Sequence, residues 1–388
     1  MHLQAGRVVQ MIVTKAYKFR IYPSEKQRIL INKTFGCSNL VYNKLLDKKK
    51  TNPKLSKYDL GSFIPGFKQE LEFLKEVDSV ALVHTAHNVN IGYDKYLSGK
   101  GGMPHFKKKG VKVSYTTNCI RSSYKSKSYA NIMVDMKNRT IVLPKLGSVK
   151  IRGYRNFKNF PFKIVNATVS KVANKYYVSV VVEEDIKSKY AKTYHIVGID
   201  LGIKSLVTTS SFESYGNVSS LKKYEKRIAI LQQKLAKKEK NSKNYNKIKM
   251  KLERAYLRLA NSRKKQAEEI VSKLLKENDY IVAENLQVNK MITESSSKSL
   301  RKNIIHSTFS LILTKLRQKC LWESKKFIQV NTYFPSSQLC PCCGHRNKEM
   351  QDLKLREYKC SECGNILDRD INASLNILNE GIKMAFGL

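Results

Sequence analysis

The chain has 388 residues, 41% of them hydrophobic, which is enough to bury a large core in two or three domains and excludes a disordered tail. Its 73 lysines and arginines outnumber 31 aspartates and glutamates, and the net charge of +42 favours nucleic acid as the partner, with an anionic membrane surface as the rival. No apolar run approaches the roughly 18 residues that span a bilayer, which excludes an integral membrane protein.

The first half of the chain begins with a predicted strand and helix. Over residues 14–22 aromatic and aliphatic side chains alternate with lysine and arginine, the pattern of a half-buried strand. Ser24 and Gln27 then have the spacing of a capping box, which predicts a helix running towards Lys50. Residues 51–98 are predicted to be mostly helical.

A glycine-rich basic loop, residues 99–110, leads into a stretch rich in serine, tyrosine and lysine up to Tyr129. Interleaved tyrosines can stack on bases while lysines contact phosphates, so we favour a nucleic-acid contact here over a solvated loop. Residues 132–183 then predict strands, two short ones in TIVLPKLGSVKI and two longer ones joined by a tight turn near Asn174. We expect a small β-barrel into which residues 51–130 are inserted.

The second half opens with a short apolar strand that contains Asp200. Residues 219–279 keep helical spacing with a break at 240–246, which predicts a helical hairpin. A second buried strand ends in Glu284, and an amphipathic helix follows over residues 299–319. A further strand and a final helix that starts near Asp370 complete the pattern.

Two CxxC pairs, Cys340 with Cys343 and Cys360 with Cys363, are separated by 16 residues. This spacing predicts a structural zinc ribbon, since each pair can turn two thiolates towards one tetrahedral metal. Cys342 makes the first knuckle CPCC and could compete as a ligand. The remaining cysteines are scattered singly, which indicates a reducing compartment, and the N-terminal residues make a poor signal peptide.

Three acids stand in a context that surface carboxylates lack: Asp200 and Glu284 in apolar strands and Asp370 at the start of a helix. A carboxylate on a buried strand is costly unless it is paired or binds a metal. If the three converge, they make an oxygen-ligand site for hard divalent cations such as two Mg²⁺ ions. Taken singly, each could be a turn residue, a strand cap or a helix cap, and Asp368 is near enough to replace Asp370.

The chain resembles the TnpB-type family of transposon-encoded RNA-guided DNA nucleases (the OrfB transposase family), which is related to type V CRISPR effectors. The matching stretches run through most of the chain: KAYKFRIYPSEKQ, PHFKKKG, IVLPKLGSVKI, GIDLGIKSL, IVAENLQV, FPSSQLCPCCG and YKCSECGNILDRDINASLNIL. The resemblance implies catalytic acids at Asp200, Glu284 and Asp370, with magnesium as their cofactor. It also implies zinc ligands at the four paired cysteines and a guide RNA from the transposon end as partner.

The implied fold class is α/β plus β, a split RuvC (ribonuclease-H-like) nuclease domain with an inserted zinc ribbon, preceded by a wedge-like β-barrel with a helical recognition insert. The expected segments are the first part of the barrel (11–50), the insert (51–130), the second part of the barrel with a linker (131–195), the nuclease domain with its helical hairpin (196–337), the zinc ribbon (338–366) and the C-terminal nuclease helix (367–388).

The function expected from these features is cleavage of double-stranded target DNA beside a short flanking motif, guided by RNA and dependent on Mg²⁺. We expect a monomer in the cytoplasm of a bacterium or archaeon, with no membrane partner. Two alternatives remain. The protein could be a nuclease-inactive RNA-guided repressor, or a protein-only transposase or resolvase on the same fold.

Overall fold

The computed structural model describes residues 11–108, 113–124, 127–153, 163–186, 188–216, 219–295, 297–298, 300–301, 304, 308–352 and 354–387. The chain divides into two compact units, Met1–Asp185 and Ile186–Leu388. Among the helices in these ranges, none is both long and apolar enough to cross a membrane.

The first unit is built on a seven-stranded sheet. Its strands are β1 (Met11–Tyr22), β2 (Val113–Asn118), β5 (Met133–Asp135), β6 (Thr140–Leu143), β7 (Gly147–Arg152), β8 (Lys163–Val172) and β9 (Lys175–Ile186). The strand order is β2-β8-β9-β1-β7-β6-β5. A separate hairpin pairs β3 (Arg121–Tyr124) with β4 (Lys127–Ala130).

The predicted strand pairs of this sheet are present. Strands β8 and β9 are joined at Ala173 and Asn174, whose φ angles of 50° and 61° lie in the left-handed region that a two-residue hairpin turn requires. On β1 the alternation holds, because Phe19 and Ile21 are each only 2% exposed in the sheet's core. The tight turn near Asn174 and the strand over residues 14–22 are thus confirmed.

Three helices accompany the sheet: α1 (Glu25–Thr51), α2 (Lys57–Glu70) and α3 (Ser79–Leu97). The capping box that begins α1 is confirmed, with the Gln27 backbone N–H donating to Ser24 Oγ and the Gln27 side chain accepting from the Ser24 N–H. The helices bury a common core of leucines and other apolar side chains, including Leu45, Leu60 and Leu82.

Two expectations for this unit need correction. The helical insert expected over residues 51–130 ends earlier, because Val113–Asn118 forms β2 at the edge of the sheet and Arg121–Tyr124 pairs with Lys127–Ala130 in the β3–β4 hairpin. The sheet is also a curled half-barrel rather than a barrel, with β2 and β5 as its edges within the described residues. Strand β2 pairs with β8 about 50 residues away in sequence, and local patterning carries no signal for such a pairing.

The second unit is built on a five-stranded sheet. Its strands are β10 (Ile196–Asp200), β11 (Ser205–Thr209), β12 (Ser214–Gly216), β13 (Tyr280–Glu284) and β14 (Lys326–Val330), in the order β12-β11-β10-β13-β14. Strands β10, β13 and β14 are parallel, whereas β11 and β12 are antiparallel to their neighbours. The remaining strands, β15 (Glu357–Lys359) and β16 (Ile366–Asp368), form a small hairpin.

Helices cover both faces of this sheet. They are α4 (Ser219–Ala236), α5 (Lys243–Glu277), α6 (Val288–Glu294), α7 (Phe309–Trp322) and α8 (Arg369–Phe386). Apolar residues of α5 and α7 share one core with β10, β11 and β13. The predicted helical hairpin is confirmed as α4 and α5, which are joined at residues 237–242.

Helix α8 approaches the opposite face so closely that two glycines are required. A Cβ at Gly198 of β10 would lie 2.2 Å from the Ser374 carbonyl oxygen of α8. A Cβ at Gly381 of α8 would lie 2.4 Å from Val282 Cγ1 of β13. These interlocking glycines set the distance between the helix and the sheet.

The amphipathic helix predicted over residues 299–319 is interrupted. The described helix α7 begins at Phe309, directly after Thr308, whose φ of 62° is left-handed and cannot continue a helix. Part of the predicted helix, including residue 305, lies outside the described residues. Apolar spacing continues through Thr308, so periodicity alone does not reveal this break.

A buried ion pair anchors the start of β13. Lys325 Nζ lies 3.0 Å from Asp279 Oδ1, and the side chains are 3% and 13% exposed. Burial raises the pKa of Asp279, but hydrogen bonds from the backbone N–H groups of Tyr194 and Thr193 and the Lys325 ammonium outweigh it, so the pKa lies below its usual value.

Candidate functional site

Asp200 and Glu284 are the last residues of two adjacent parallel strands. Strands β10 and β13 are in register with Ile199 opposite Ala283, so their carboxyl ends lie at the same edge of the sheet. Side chains alternate along each strand, which places Asp200 on the same face as Gly198 and Glu284 on the same face as Val282. That is the face covered by α8.

Asp370 reaches the same edge from the first turn of α8. Its Oδ2 atom and Asp200 Oδ2 each lie 4.0 Å from the point where a Cβ at Gly202 would stand. The two carboxylates therefore border the same space beside Gly202, which has no side chain to fill it.

The electrostatics of Asp200 show that the acids influence one another. Burial and then the negative charges of Glu284 and Asp370 raise the pKa of Asp200 to about 8, while the Leu201 backbone N–H and the charge of Arg369 act in the opposite direction. A carboxylate whose pKa is raised by two like-charged neighbours lies where a cation would be strongly attracted.

Two side chains from other segments hold the acids. Ser336 Oγ donates a hydrogen bond to Glu284 Oε1, which partly offsets the rise that burial causes in the pKa of Glu284. Arg356 Nη2 lies 2.6 Å from Asp370 Oδ2. In this state the Asp370 carboxylate is paired with a guanidinium, which lies between the two cysteine pairs in sequence.

Asp368 has a different role from Asp370. It is the N-cap of α8, and its Oδ1 accepts hydrogen bonds from the backbone N–H groups of Asp370 at 2.8 Å and Ile371 at 3.3 Å. Capping occupies this carboxylate, so the geometry favours Asp370 over Asp368 as the acid that faces the two strands.

The four predicted cysteines lie together. The Sγ atoms of Cys340, Cys343, Cys360 and Cys363 are all within 4.8 Å of one another, and the Cys340–Cys363 and Cys343–Cys360 pairs are each 3.5 Å apart. Among the described residues these four form the cluster of potential ligands that fits a metal ion, and Cys342, an exposed thiol, is outside it. Four thiolates at this spacing suit tetrahedral zinc.

The local backbone favours thiolate at part of this cluster. Burial raises the pKa of Cys340, but hydrogen bonds from the backbone N–H groups of Cys343 and Cys342, together with contacts to the thiols of Cys363 and Cys343, outweigh burial, so the pKa lies below its usual value. Gly344 and Gly364, with φ of 77° and 70°, close the two knuckles in a conformation that glycine adopts without strain.

Buried polar side chains of α8 attach the cysteine cluster to the acids. Asn376 Nδ2 donates to the carbonyl oxygens of Leu339 at 2.7 Å and Ser336 at 2.9 Å, and Asn372 also donates to Leu339. Arg369 donates through Nη1 to the carbonyl of Asp352 at 2.6 Å. The helix that carries Asp370 is therefore hydrogen-bonded to the segment that carries the first cysteine pair.

Three of these residues were not found by sequence reasoning: Ser336, Arg356 and Arg369. Arg356 and Arg369 are ordinary members of a lysine- and arginine-rich chain, so neither stands out by type. Arg369 lies between Asp368 and Asp370, and this DRD sequence was the one signal that could have indicated a role beside the acids. Ser336 carries no signal, because the Glu284–Ser336 contact joins residues 52 positions apart.

Three family descriptions match successive parts of the chain. Residues 11–56 match the helix-turn-helix domain of the OrfB family of IS605 elements, residues 154–294 match that family's "Probable transposase" domain, and residues 309–377 match the Cas12f1-like TNB domain. The chain has domains of the TnpB/OrfB family. The segment described as helix-turn-helix forms a strand and one long helix, β1 and α1.

Curated relatives match the chain over almost its full length. A protein of Streptomyces pristinaespiralis named "Putative RNA-guided DNA endonuclease" is 29% identical over 95% of this chain and 90% of its own length. InsQ of Escherichia coli, with the same description, is 26% identical over 95% of this chain and 92% of its own length.

A solved structure supports the fold. The protein in a Cas12f1–sgRNA–target DNA complex superposes with a TM-score of 0.57 at 14% identity, covering 95% of this chain and 99% of that one. The TnpB-family protein therefore has a Cas12f-like fold with a four-cysteine cluster.

Proposed function

We propose that this TnpB-family protein is an RNA-guided, Mg²⁺-dependent endonuclease that hydrolyses double-stranded target DNA beside a short flanking motif. One catalytic centre, formed by Asp200, Glu284 and Asp370, would cut both strands. The observation that carries the proposal is that Asp200 and Glu284 end adjacent parallel strands, Asp370 begins the helix over the same face, and the charges of Glu284 and Asp370 both raise the pKa of Asp200.

The sheet of the second unit supports a ribonuclease-H-like assignment. An antiparallel run, β12-β11-β10, continues into the parallel strands β13 and β14. In the ribonuclease-H-like nuclease fold the acids come from a strand, a second strand and a helix in that order, as Asp200, Glu284 and Asp370 do here. Under this proposal the chain order Asp200, Glu284, Asp370 corresponds to a RuvC-like domain split by the helical hairpin and the cysteine cluster.

The three carboxylates fit Mg²⁺ because they supply charged oxygen ligands in a partly buried place, where a bound cation would reduce the repulsion between their negative charges. When bound, two Mg²⁺ ions would polarise the phosphate, activate water and stabilise the leaving 3′-oxygen. Ser336 would hold the Glu284 carboxylate in place. Arg356 would have to release Asp370 when an ion takes that oxygen, and its guanidinium could then donate to a phosphate oxygen.

We further propose that Cys340, Cys343, Cys360 and Cys363 hold one structural Zn²⁺ as a zinc ribbon inserted before α8. The four sulfurs fit this ion in number, spacing and softness. Because α8 donates hydrogen bonds to the carbonyls of Leu339 and Ser336, the ribbon would help to position Asp370 and Arg356.

The partners we propose are a guide RNA derived from the transposon end and target DNA. A net charge of +42 is more than one DNA site accounts for, since about 6–10 phosphate contacts are typical of a specific protein–DNA complex. Under this proposal base pairing with the RNA determines which target sequence is bound. The half-barrel and its helices serve as the wedge and recognition domains. The protein works as a monomer in the prokaryotic cytoplasm.

Cleavage of a matched DNA duplex by the reconstituted ribonucleoprotein tests the proposal. Asp200→Ala should lower the Mg²⁺-dependent rate about a thousandfold or more and leave target binding nearly intact. An RNA-dependent complex that binds the target but never cuts would instead favour the repressor alternative. Comparable cleavage by Asp200→Ala would remove this residue from the site.

A further inference from the structure

Two adjoining cavities lie on the α7 side of the second sheet, the opposite face from the three carboxylates. The first, of about 490 Å³, begins at Asn285, the residue directly after Glu284, and extends to Gln329 and Arg317. The second, of about 360 Å³, lies between α5, α6 and the start of α7. Val288, Asn289 and Ser310 line both, so we call the pair the α6 groove.

The first cavity has the polar lining of a nucleotide site. Its wall contains the side-chain amides of Asn285, Gln287, Asn289 and Gln329, the hydroxyls of Ser310 and Thr314, and two cations. Side-chain amides both donate and accept, which is what the edge of a nucleobase requires. One of the cations, Arg317, donates through Nη2 to Gln329 Oε1, which fixes this amide.

The second cavity is lined by residues with buried polar atoms that lack a hydrogen-bond partner among the described residues. Among the described residues, the buried Nε and Nη2 atoms of Arg263 and the buried Oγ1 of Thr308 make no hydrogen bond, and both residues line this cavity. The charge of Arg263 is balanced by Glu225 at 3.8 Å, beyond hydrogen-bonding distance. Burial lowers the pKa of Arg263, and the charge of Glu225 acts in the opposite direction. Burying this charged guanidinium is therefore unfavourable for the folded state.

We propose that the α6 groove binds one nucleotide of a single DNA strand, with its phosphate at Arg263 and Thr308 and its base among the amides. The proposal rests on the proposed function, since target DNA is the substrate proposed for this unit and the groove begins at Asn285, directly after Glu284. A phosphate supplies the charge-assisted hydrogen bonds that Arg263 lacks, and a buried guanidinium is the side chain best suited to receive it.

The test measures binding rather than cleavage. Ribonucleoprotein carrying Asp200→Ala, without Mg²⁺, is titrated into a fluorescent 12-nucleotide thymidine strand, and anisotropy is followed over a series of salt concentrations. Adding Arg263→Gln should weaken binding about tenfold and reduce the slope of log K against log salt by about 0.7, the value for one phosphate contact on a single strand.

The matched control is Lys265→Gln, which removes the same charge two residues away. Lys265 is 77% exposed, pairs with Glu269 and does not line either cavity, so its loss should change neither affinity nor slope. Asn289→Leu should weaken binding and leave the slope unchanged, because it removes an amide and no charge. If Arg263→Gln and Lys265→Gln lost affinity equally, or if neither lost affinity, the proposal that the α6 groove binds a nucleotide would be contradicted.

A uridine strand of the same length separates the two sources of a nucleotide. If only this RNA probe responds to Arg263→Gln, the groove takes RNA and the proposal for DNA fails. Unfolding of each variant, followed by fluorescence of Trp322, the single tryptophan of the chain, shows whether the unit is intact. Because the assay measures binding without cleavage, its result can be interpreted even if the proposed nuclease activity is not found.

Discussion

The close approach between α8 and its sheet predicts that Gly381→Ala displaces the helix that carries Asp370. The new Cβ would lie 2.4 Å and 2.5 Å from the two methyl carbons of Val282 and 2.9 Å from its Cβ. Ordinary carbon contacts are about 3.5–4.0 Å, so helix and strand must separate by about 1 Å. Overpacking of this kind costs about 1–3 kcal/mol, and the better helix propensity of alanine offsets at most about 1 kcal/mol.

The functional consequence should exceed the stability loss. Asp370 is on the same rigid helix, and a misplacement of about 1 Å at a catalytic centre can lower the rate by about a hundredfold. Urea unfolding followed by Trp322 fluorescence measures the first effect, since this tryptophan lies in the same unit. Single-turnover cleavage by the ribonucleoprotein measures the second.

A second substitution makes the reasoning specific. Val282→Ala alone should destabilise by about 2 kcal/mol through the cavity it leaves, yet it removes the methyl groups that Gly381→Ala would strike. The double variant should therefore lose less than the sum of the single variants, with a coupling of about 0.5–3 kcal/mol. Gly216→Ala, at an exposed position of β12 in the same unit with no atom within 4 Å of the new Cβ, is the control and should be neutral or slightly stabilising. Additive losses, or full cleavage by Gly381→Ala, would refute the close-packing account.

Three further predictions concern the acids, the cysteines and pH. Asp370→Ala should lower the cleavage rate about a thousandfold, whereas Asp368→Ala should remove only the N-cap and cost about 1 kcal/mol in the free energy of unfolding; the opposite order of rates would assign the wrong aspartate. Cys360→Ser should lower both the zinc content, measured by elemental analysis, and the cleavage rate, while Cys342→Ser should change neither; equal zinc in the two variants would contradict the ribbon. Asp279→Asn should destabilise by about 3 kcal/mol at pH 7, because it leaves a buried ammonium unpaired. The folded-state pKa of Asp279 is lowered, so its contribution to the free energy of unfolding is complete above the unfolded pKa of about 4 and is lost as the pH falls below that value. If the wild type remained more stable than Asp279→Asn by the same amount at pH 2–3, as measured by urea unfolding, this pH dependence would be contradicted.

Features encoded within a few residues could be predicted from sequence. The capping box at Ser24 and Gln27, the turn at Asn174 and the two-helix hairpin all follow from local patterns that the structure reproduces. The strands of Asp200 and Glu284 were also predictable, Asp200 within one short apolar strand and Glu284 at the end of another, and the structure makes each the last residue of its strand.

Features created by contacts between distant segments were not predictable. Strand β2 joins the sheet through β8, and nothing in its serine- and tyrosine-rich sequence indicates that partner. The contact between Arg356 and Asp370 depends on how the cysteine cluster folds back, and basic residues are too frequent here for one to stand out. Likewise, Gly198 and Gly381 become meaningful only once α8 is seen against the sheet.

Cleavage with and without RNA tests the central proposal most directly. The protein is purified in high salt, freedom from RNA is confirmed by the absorbance ratio, and a matched DNA duplex is offered with Mg²⁺, either alone or after addition of the guide RNA. We predict cleavage of the matched duplex only with RNA, and non-specific, strongly salt-dependent DNA binding without it. If the RNA-free protein cuts one DNA sequence selectively and added RNA changes nothing, the guided nuclease is contradicted and a protein-only transposase or resolvase replaces it.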